Sequence, residues 1–350
     1  MRILSVAFPF APVSDDPVGG AEQVLAHIDR HLVERGHESV VIAPAGSSVH
    51  GRLVPVPVLD GEWDDTACIR QRQCVRAIIE QALAQTHFDL VHCHGMDFQA
   101  YLPAASVPVL VTLHVPLDWY AADALRPGRP STFLLPVSRE QCRDAPADLD
   151  LLPPISNGVA RNPFAGRARK HAFALALGRI CPEKGFDDAA RAARIAGIEL
   201  RIAGVPFAWP EHVRYHREIL KPLLDASHRL IGPVHGLRKL WLLASARCVL
   251  INSRVRETSS LVAMEALAAG TPVIAYRSGA IPDLIEHGVT GFIVGDVEAM
   301  ASAIEHVDQI DPRACLRAAR QRCDLTRMLD AYLALYARLI ATASRLRGAA

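Results

Sequence analysis

The chain has 350 residues, half of them hydrophobic, which is more than one ordinary core accommodates and points to two domains. Thirty-eight basic residues stand against 37 acidic ones, a net charge of +1. That balance argues against nucleic acid or a strongly anionic surface as partner. Eight scattered cysteines (Cys68, Cys74, Cys93, Cys142, Cys181, Cys248, Cys315 and Cys323) form no C-x-x-C pair, and they read as small buried thiols in a reducing cytoplasm.

In chain order, MRILSVAF is too short for a signal-peptide core, because Pro9 and Pro12 follow at once. It predicts a first strand over 2–8. A helix over 21–35, strands over 38–43 and 52–58, a helix over 64–86 and strands over 89–93 and 108–113 follow. LVHCH and VPVLVTLH are nearly continuous hydrophobes, as parallel strands covered on both faces require. Residues 121–130 read as a loop, and TFLLPVS and PISNGV as the last strands of this half.

The polar stretch 161–171 suggests a linker, after which the alternation restarts. Strands are expected over 173–178, 199–203, 229–231, 248–252, 273–276 and 291–294. Helices are expected over 187–196, 211–224, 237–246, 260–269 and 297–307, with a helical tail to about 345. Gly270, with Pro272 beyond it, should end the helix over 260–269. Two such halves make an α/β protein of two doubly wound domains, with ligands at the carboxyl ends of the strands. No run of 18 apolar residues exists, so no transmembrane helix is expected.

Several residues could carry chemistry. Gly19 and Gly20 precede the first helix, where backbone amides can approach an anion. This is not G-x-G-x-x-G, and strand two lacks the acid that holds an NAD ribose. Arg179 and Lys184 follow a strand, and a guanidinium with an ammonium suits a diphosphate.

Glu257 lies at a strand's carboxyl end, and Ser259 or Ser260 is a natural N-cap for the next helix. The amides of Ser260 and Leu261 can receive phosphate. Glu265, roughly 8–9 Å along that helix, can reach ribose hydroxyls. His114 ends a strand and can bond a substrate hydroxyl or a developing charge. His92 and His94 flank Cys93, but without a third clustered ligand they argue against a metal.

In order, VGGAE, RGHE, TLH, SNGV, LGRICPEKG, the Glu257–Glu265 pair and EALAAGTPVIA…GAIPDLIEHGVTGFIV resemble a family 4 retaining glycosyltransferase. The resemblance spans almost the whole chain, from the first strand to about residue 305. It implies a GT-B fold: an N-terminal Rossmann-like acceptor-side domain over 1–160 and a nucleotide-sugar domain over 161–325, facing each other across a cleft. A C-terminal helix over 326–350 crosses back.

It further implies that Gly20 lies beneath the donor diphosphate and that His114 contacts the transferred sugar. Arg179 and Lys184 hold the diphosphate, Glu257 meets sugar hydroxyls and Glu265 the ribose, with Thr258, Ser259, Ser260 and Leu261 lining the donor site. No metal and no cofactor are implied. Two departures stand out. The family's Glu-Gly-Phe-Gly is Glu257-Thr258-Ser259-Ser260 here, and the stretch from His114 to Ser138 is short.

The function expected from these residues is retaining, metal-independent transfer of a hexose from a nucleotide diphosphate sugar, with UDP-glucose as the expected donor. The acceptor is a hydroxyl of a small molecule or glycan, in the cytoplasm, without stable membrane insertion. A GT-B nucleotide-sugar 2-epimerase and a non-catalytic sugar- or nucleotide-binding protein are the alternatives.

Overall fold

The computed structural model describes residues 1–348 except 18, 59–62, 105 and 144, with the side chains of 344 and 346–348 left out. The elements run β1 (Arg2–Val6), α1 (Gly20–Glu34), β2 (Glu38–Pro44), β3 (Arg52–Val56), α2 (Asp65–Gln85), β4 (Leu90–Cys93), β5 (Val109–Leu113), β6 (Thr132–Pro136) and α3 (Arg139–Arg143). Then come β7 (Phe173–Leu177), α4 (Phe186–Ile195), β8 (Glu199–Ala203), α5 (Pro210–Arg214), β9 (His228–Leu230), α6 (Gly236–Ser245), β10 (Cys248–Ile251) and α7 (Leu261–Ala268). The chain closes with β11 (Val273–Tyr276), α8 (Ile281–Leu284), β12 (Gly291–Val294), α9 (Val297–His306), α10 (Pro312–Arg322) and α11 (Leu325–Gly348).

They form two compact units, one of residues 1–156 with 326–350, the other of 157–325. The first holds a six-stranded parallel sheet ordered β3-β2-β1-β4-β5-β6. Side chains alternate between two cores, as the period of two demands: on β2, Val40 and Ile42 enter one, Val41 and Ala43 the other. The second unit has the parallel order β12-β11-β10-β7-β8-β9. Here Leu175, Val249 and Val273 face one core, and Ala174, Leu250 and Ile274 the other.

In each sheet the chain lays three strands outward to one side, then three to the other. The reversal falls between β1 and β4 in the first unit and between β7 and β10 in the second. Loops at such a switch point flank the crevice where ligands bind.

Local chemistry sets the boundaries. The carboxylates of Asp64, Asp296 and Asp311 accept backbone amides at the starts of α2, α9 and α10. Gly270, at φ 72°, follows the end of α7.

Four expectations are corrected. PISNGV is no strand; only Val159 forms a bridge, to Asp324. The first strand ends at Val6 rather than 8, and the third at Val56 rather than 58. The helix expected over 211–224 is α5 followed by a wide π turn, Tyr215–Leu220, and a tight 3-10 turn, Lys221–Leu223. Pro222 has no amide to donate and its ring crowds the preceding turn, so the regular ladder stops there.

All eight cysteines are free. Among the described residues no helix is long and apolar enough to cross a membrane.

Candidate active site

In the second unit, the loops after β7 and β10 leave adjacent strands at the switch point. The first carries Arg179 and Lys184, the second Glu257 to Ser260. They meet directly: Lys184 Nζ donates to Glu257 Oε1 at 2.5 Å. Two glycines permit this approach. A Cβ on Gly185 (φ 59°) would lie 2.3 Å from the Asn252 carbonyl oxygen, and one on Gly279 (φ 48°) 2.2 Å from that of Glu257. Glu257 is clamped further by its amide donating to Ser278 Oγ at 3.3 Å and its carbonyl accepting from the Ala280 amide at 2.7 Å.

Burial pushes the Glu257 carboxyl up. The Lys184 charge and hydrogen bond, with the Ser253 and Ser260 hydroxyls, outweigh that and hold it below the usual carboxylate range. The result is a buried, ionised acid beside an ammonium that remains one-third exposed. Arg179 lies on the same loop, its guanidinium carbon 5.3 Å from the centre of the Phe207 ring. Its Nε is buried without a hydrogen-bond partner.

Ser260 occupies the N-cap of α7, but not as a conventional cap. Its backbone is left-handed (φ 48°, ψ 74°), and its side chain makes no capping bond. A non-glycine residue there stores strain. Ser259 Oγ instead accepts from the buried amide of Asn157 at 2.7 Å, which ties SNGV to the site.

Glu265 lies on α7, and sequence reasoning missed its partner. Lys239 of α6 donates to Glu265 Oε1 at 2.9 Å, with both side chains almost wholly buried. A lysine inside an apolar helical stretch, GLRKLWLLAS, was the available signal.

Gly19, Gly20 and His114 belong to the first unit. Gly19 caps α1 with an extended backbone (φ −96°, ψ 144°) that any residue could adopt. A Cβ there would meet chiefly the movable carboxylate of Glu22. His114 follows β5 and is held by buried Gln141, whose Nε2 donates to the carbonyls of Leu113 and Val115, each at 2.9 Å.

His114 Nε2 is hydrogen-bonded to His94 Nδ1 (3.0 Å), His94 Nε2 to His92 Nδ1 (3.2 Å), and His92 to Tyr336 Oη (2.7 Å) and Thr112 Oγ1 (2.8 Å). His92 and His94 therefore bind neighbours rather than a metal. Burial lowers all three imidazoles, His114 to about 3, so they are neutral at physiological pH.

Known proteins share both halves. The family described as Glyco_transf_4, Glycosyltransferase Family 4, matches residues 18–147, and that described as Glycosyl transferases group 1 matches 161–322. The D-inositol 3-phosphate glycosyltransferase of Mycolicibacterium smegmatis is 32% identical over 203 residues, 55% of this chain and 45% of that protein. The chain thus spans less than half of that relative. Glycogen synthase of Mycobacterium tuberculosis is 28% identical over 385 aligned positions, covering 92% of this chain and 90% of that one.

Among solved structures, AviGT4, a glycosyltransferase involved in avilamycin A biosynthesis, superposes with a TM-score of 0.70 at 24% identity, covering 97% of this chain and 98% of that one. The Anabaena protein HepE, solved with UDP and glucose, gives 0.75 at 19%, covering 96% and 99%. The fold is GT-B, and with both halves matched to glycosyltransferase families the chain belongs to glycosyltransferase family 4.

Proposed function

We propose that this glycosyltransferase moves a hexose from a nucleoside diphosphate sugar to an acceptor hydroxyl with retention of configuration and without a divalent cation at the diphosphate. The observation that carries the reading is the Lys184–Glu257 contact at the β7–β10 switch point, with Arg179 on the same loop. An ammonium and a guanidinium there suit the two phosphates and balance the charge that grows as the nucleoside diphosphate leaves. The ionised Glu257 is suited to accept hydrogen bonds from sugar hydroxyls, and the amides of Ser260 and Leu261 to meet phosphate at the start of α7.

Glu265, on the same helix and bonded to Lys239, would accept hydrogen bonds from the ribose hydroxyls. His114, neutral, would contact the transferred sugar. Gly19 and Gly20 at the start of α1 would let the donor phosphates approach the backbone. With the leaving phosphate as base, same-face attack accounts for retention without an enzyme nucleophile.

UDP-glucose is the favoured donor, since HepE, which shares the fold, was solved with it. Thermal shift against UDP, GDP, ADP and dTDP, each with its sugars, tests the donor. NMR of the product anomer tests retention. Stabilisation by GDP-mannose alone, or an inverted product, would overturn the corresponding claim.

A further inference from the structure

We propose that Cys181, Glu183 and His212 form a binding site for one Zn²⁺ ion that ties the β7–α4 loop to α5. One ligand atom from each of the three residues lies within 4.8 Å of the others. Cys181 and His212 are buried, at 0% and 3% exposure, and Glu183 is half-buried.

Two polar atoms of the cluster, Glu183 Oε2 and His212 Nδ1, are enclosed without a hydrogen-bond partner. Buried polar atoms are rarely left so, and here both belong to groups that coordinate metals. The third group, Cys181, donates weakly to the Arg179 carbonyl at 3.5 Å and shares a side-chain hydrogen bond with the Glu183 carboxyl, a contact that already brings two of the ligands together.

The donor set selects the ion. Thiolate, imidazole and carboxylate together suit Zn²⁺ in a tetrahedral site, with the fourth position open to water, whereas Mg²⁺ and Ca²⁺ call for oxygen alone. Charge also closes. On binding, the Cys181 thiol releases its proton to solvent, and thiolate plus carboxylate neutralise the two positive charges of the ion. That neutrality lets the site coexist with the Arg179 guanidinium on the same loop. Glu211 Oε1 lies 3.8 Å from His212 Nε2, the ring nitrogen other than the partnerless Nδ1, where a carboxylate can orient a ligating histidine.

Cys181 and Glu183 alternate with Ile180, Pro182 and Lys184, and His212 comes from another segment, so the spacing forms no recognisable metal motif. The ion departs from the expectation of a metal-free protein. Its role is to fix the loop that presents Arg179 and Lys184, and the site stands independently of the donor reading above.

The test is zinc binding by the purified full-length protein, stripped with a strong chelator and dialysed against Zn²⁺, with the metal counted by plasma emission spectrometry. One equivalent per chain is expected. Replacement by Co²⁺ should give a thiolate-to-cobalt charge-transfer band that is absent in Cys181→Ser and kept in Cys248→Ser. His212→Ala and Glu183→Gln should each weaken Zn²⁺ binding at least about tenfold. Wild-type protein that retains no stoichiometric zinc, or a Co²⁺ complex without a thiolate band, overturns the proposal, and neither measurement depends on a variant that folds. Wild-type affinity in a folded Cys181→Ser protein overturns it equally.

Discussion

Two acids eight positions apart, Glu257 and Glu265, are each seated on a lysine, Lys184 and Lys239, and these contacts separate their expected roles. Glu257→Ala should leave affinity for the free nucleoside diphosphate nearly intact and impair sugar transfer, because its partner is the sugar. Glu265→Ala removes a charged hydrogen bond to ribose, worth about 1.5–3 kcal/mol or about 10- to 150-fold in affinity. Arg179→Ala and Lys184→Ala should weaken the nucleoside diphosphate far more than the nucleoside, and lower turnover. Calorimetry with nucleoside, diphosphate and donor sugar reads each pattern; nucleotide affinity lost in Glu257→Ala but kept in Glu265→Ala would reverse the two assignments.

Ser260 makes a separate point. The family's glycine at this position suits φ 48°, and this chain holds a serine there. A left-handed non-glycine residue costs about 1–2 kcal/mol, and the greater freedom of an unfolded glycine returns about 0.4–1 kcal/mol of that. Ser260→Gly should therefore stabilise the protein by up to about 1 kcal/mol in urea unfolding. A clear loss would mean that the serine hydroxyl on Glu257 outweighs the backbone strain.

Among the elements, α6 and α7 show what a buried ion pair between helices does. Lys239 and Glu265 are each about nine-tenths enclosed. Taking away one partner of such a pair costs about 3–5 kcal/mol, while an apolar pair of similar volume is often neutral. Lys239→Ala should lower stability by that order, and Lys239→Met with Glu265→Leu should recover most of it. A Lys239→Ala protein of unchanged midpoint would assign the two side chains to solvent.

The elements also show where sequence reading succeeds. Strands such as LVHC and VLVTL are legible because a parallel strand covered on both faces must be apolar throughout. Arg179, Lys184 and Glu257 are legible as loop residues at strand ends, and the structure joins two of them. The break at Pro222, Lys239 opposite Glu265 and Asn157 on Ser259 were not, because each depends on a partner or a backbone path that no local period encodes.

For the molecule as a whole, the chain leaves its first unit after Ser156, builds the second, and returns at Thr326 to finish the first with α11. Tyr332 and Tyr336, four residues apart and so on one face of that helix, are fully buried and bond Thr112 and His92. The return thus completes a hydrogen-bonded series running from Tyr336 through His92 and His94 to His114. No spacing in the sequence could show it, since His92 and Tyr336 stand 244 positions apart.

The series has a thermodynamic consequence. Burial lowers His92 and His94 well below 6.5 in the folded protein, with repulsion from neighbouring histidines adding to the effect. The unfolded chain, with ordinary imidazoles, therefore binds protons first as pH falls. His114, lowered to about 3, adds to His92 and His94 in this. Stability is full above about pH 6.5 and declines below it, by up to about 1.4 kcal/mol per pH unit for each of the three histidines of the series. Between pH 5 and 6.5 the carboxylates remain ionised in both states, so the window isolates imidazole. Urea unfolding at pH 7, 6 and 5 should show the decline, and His92→Gln should make it shallower by one proton's worth. Stability that stays flat from pH 7 to 5 would mean that the folded chain takes up protons here as readily as the unfolded one, and that the series opens to water.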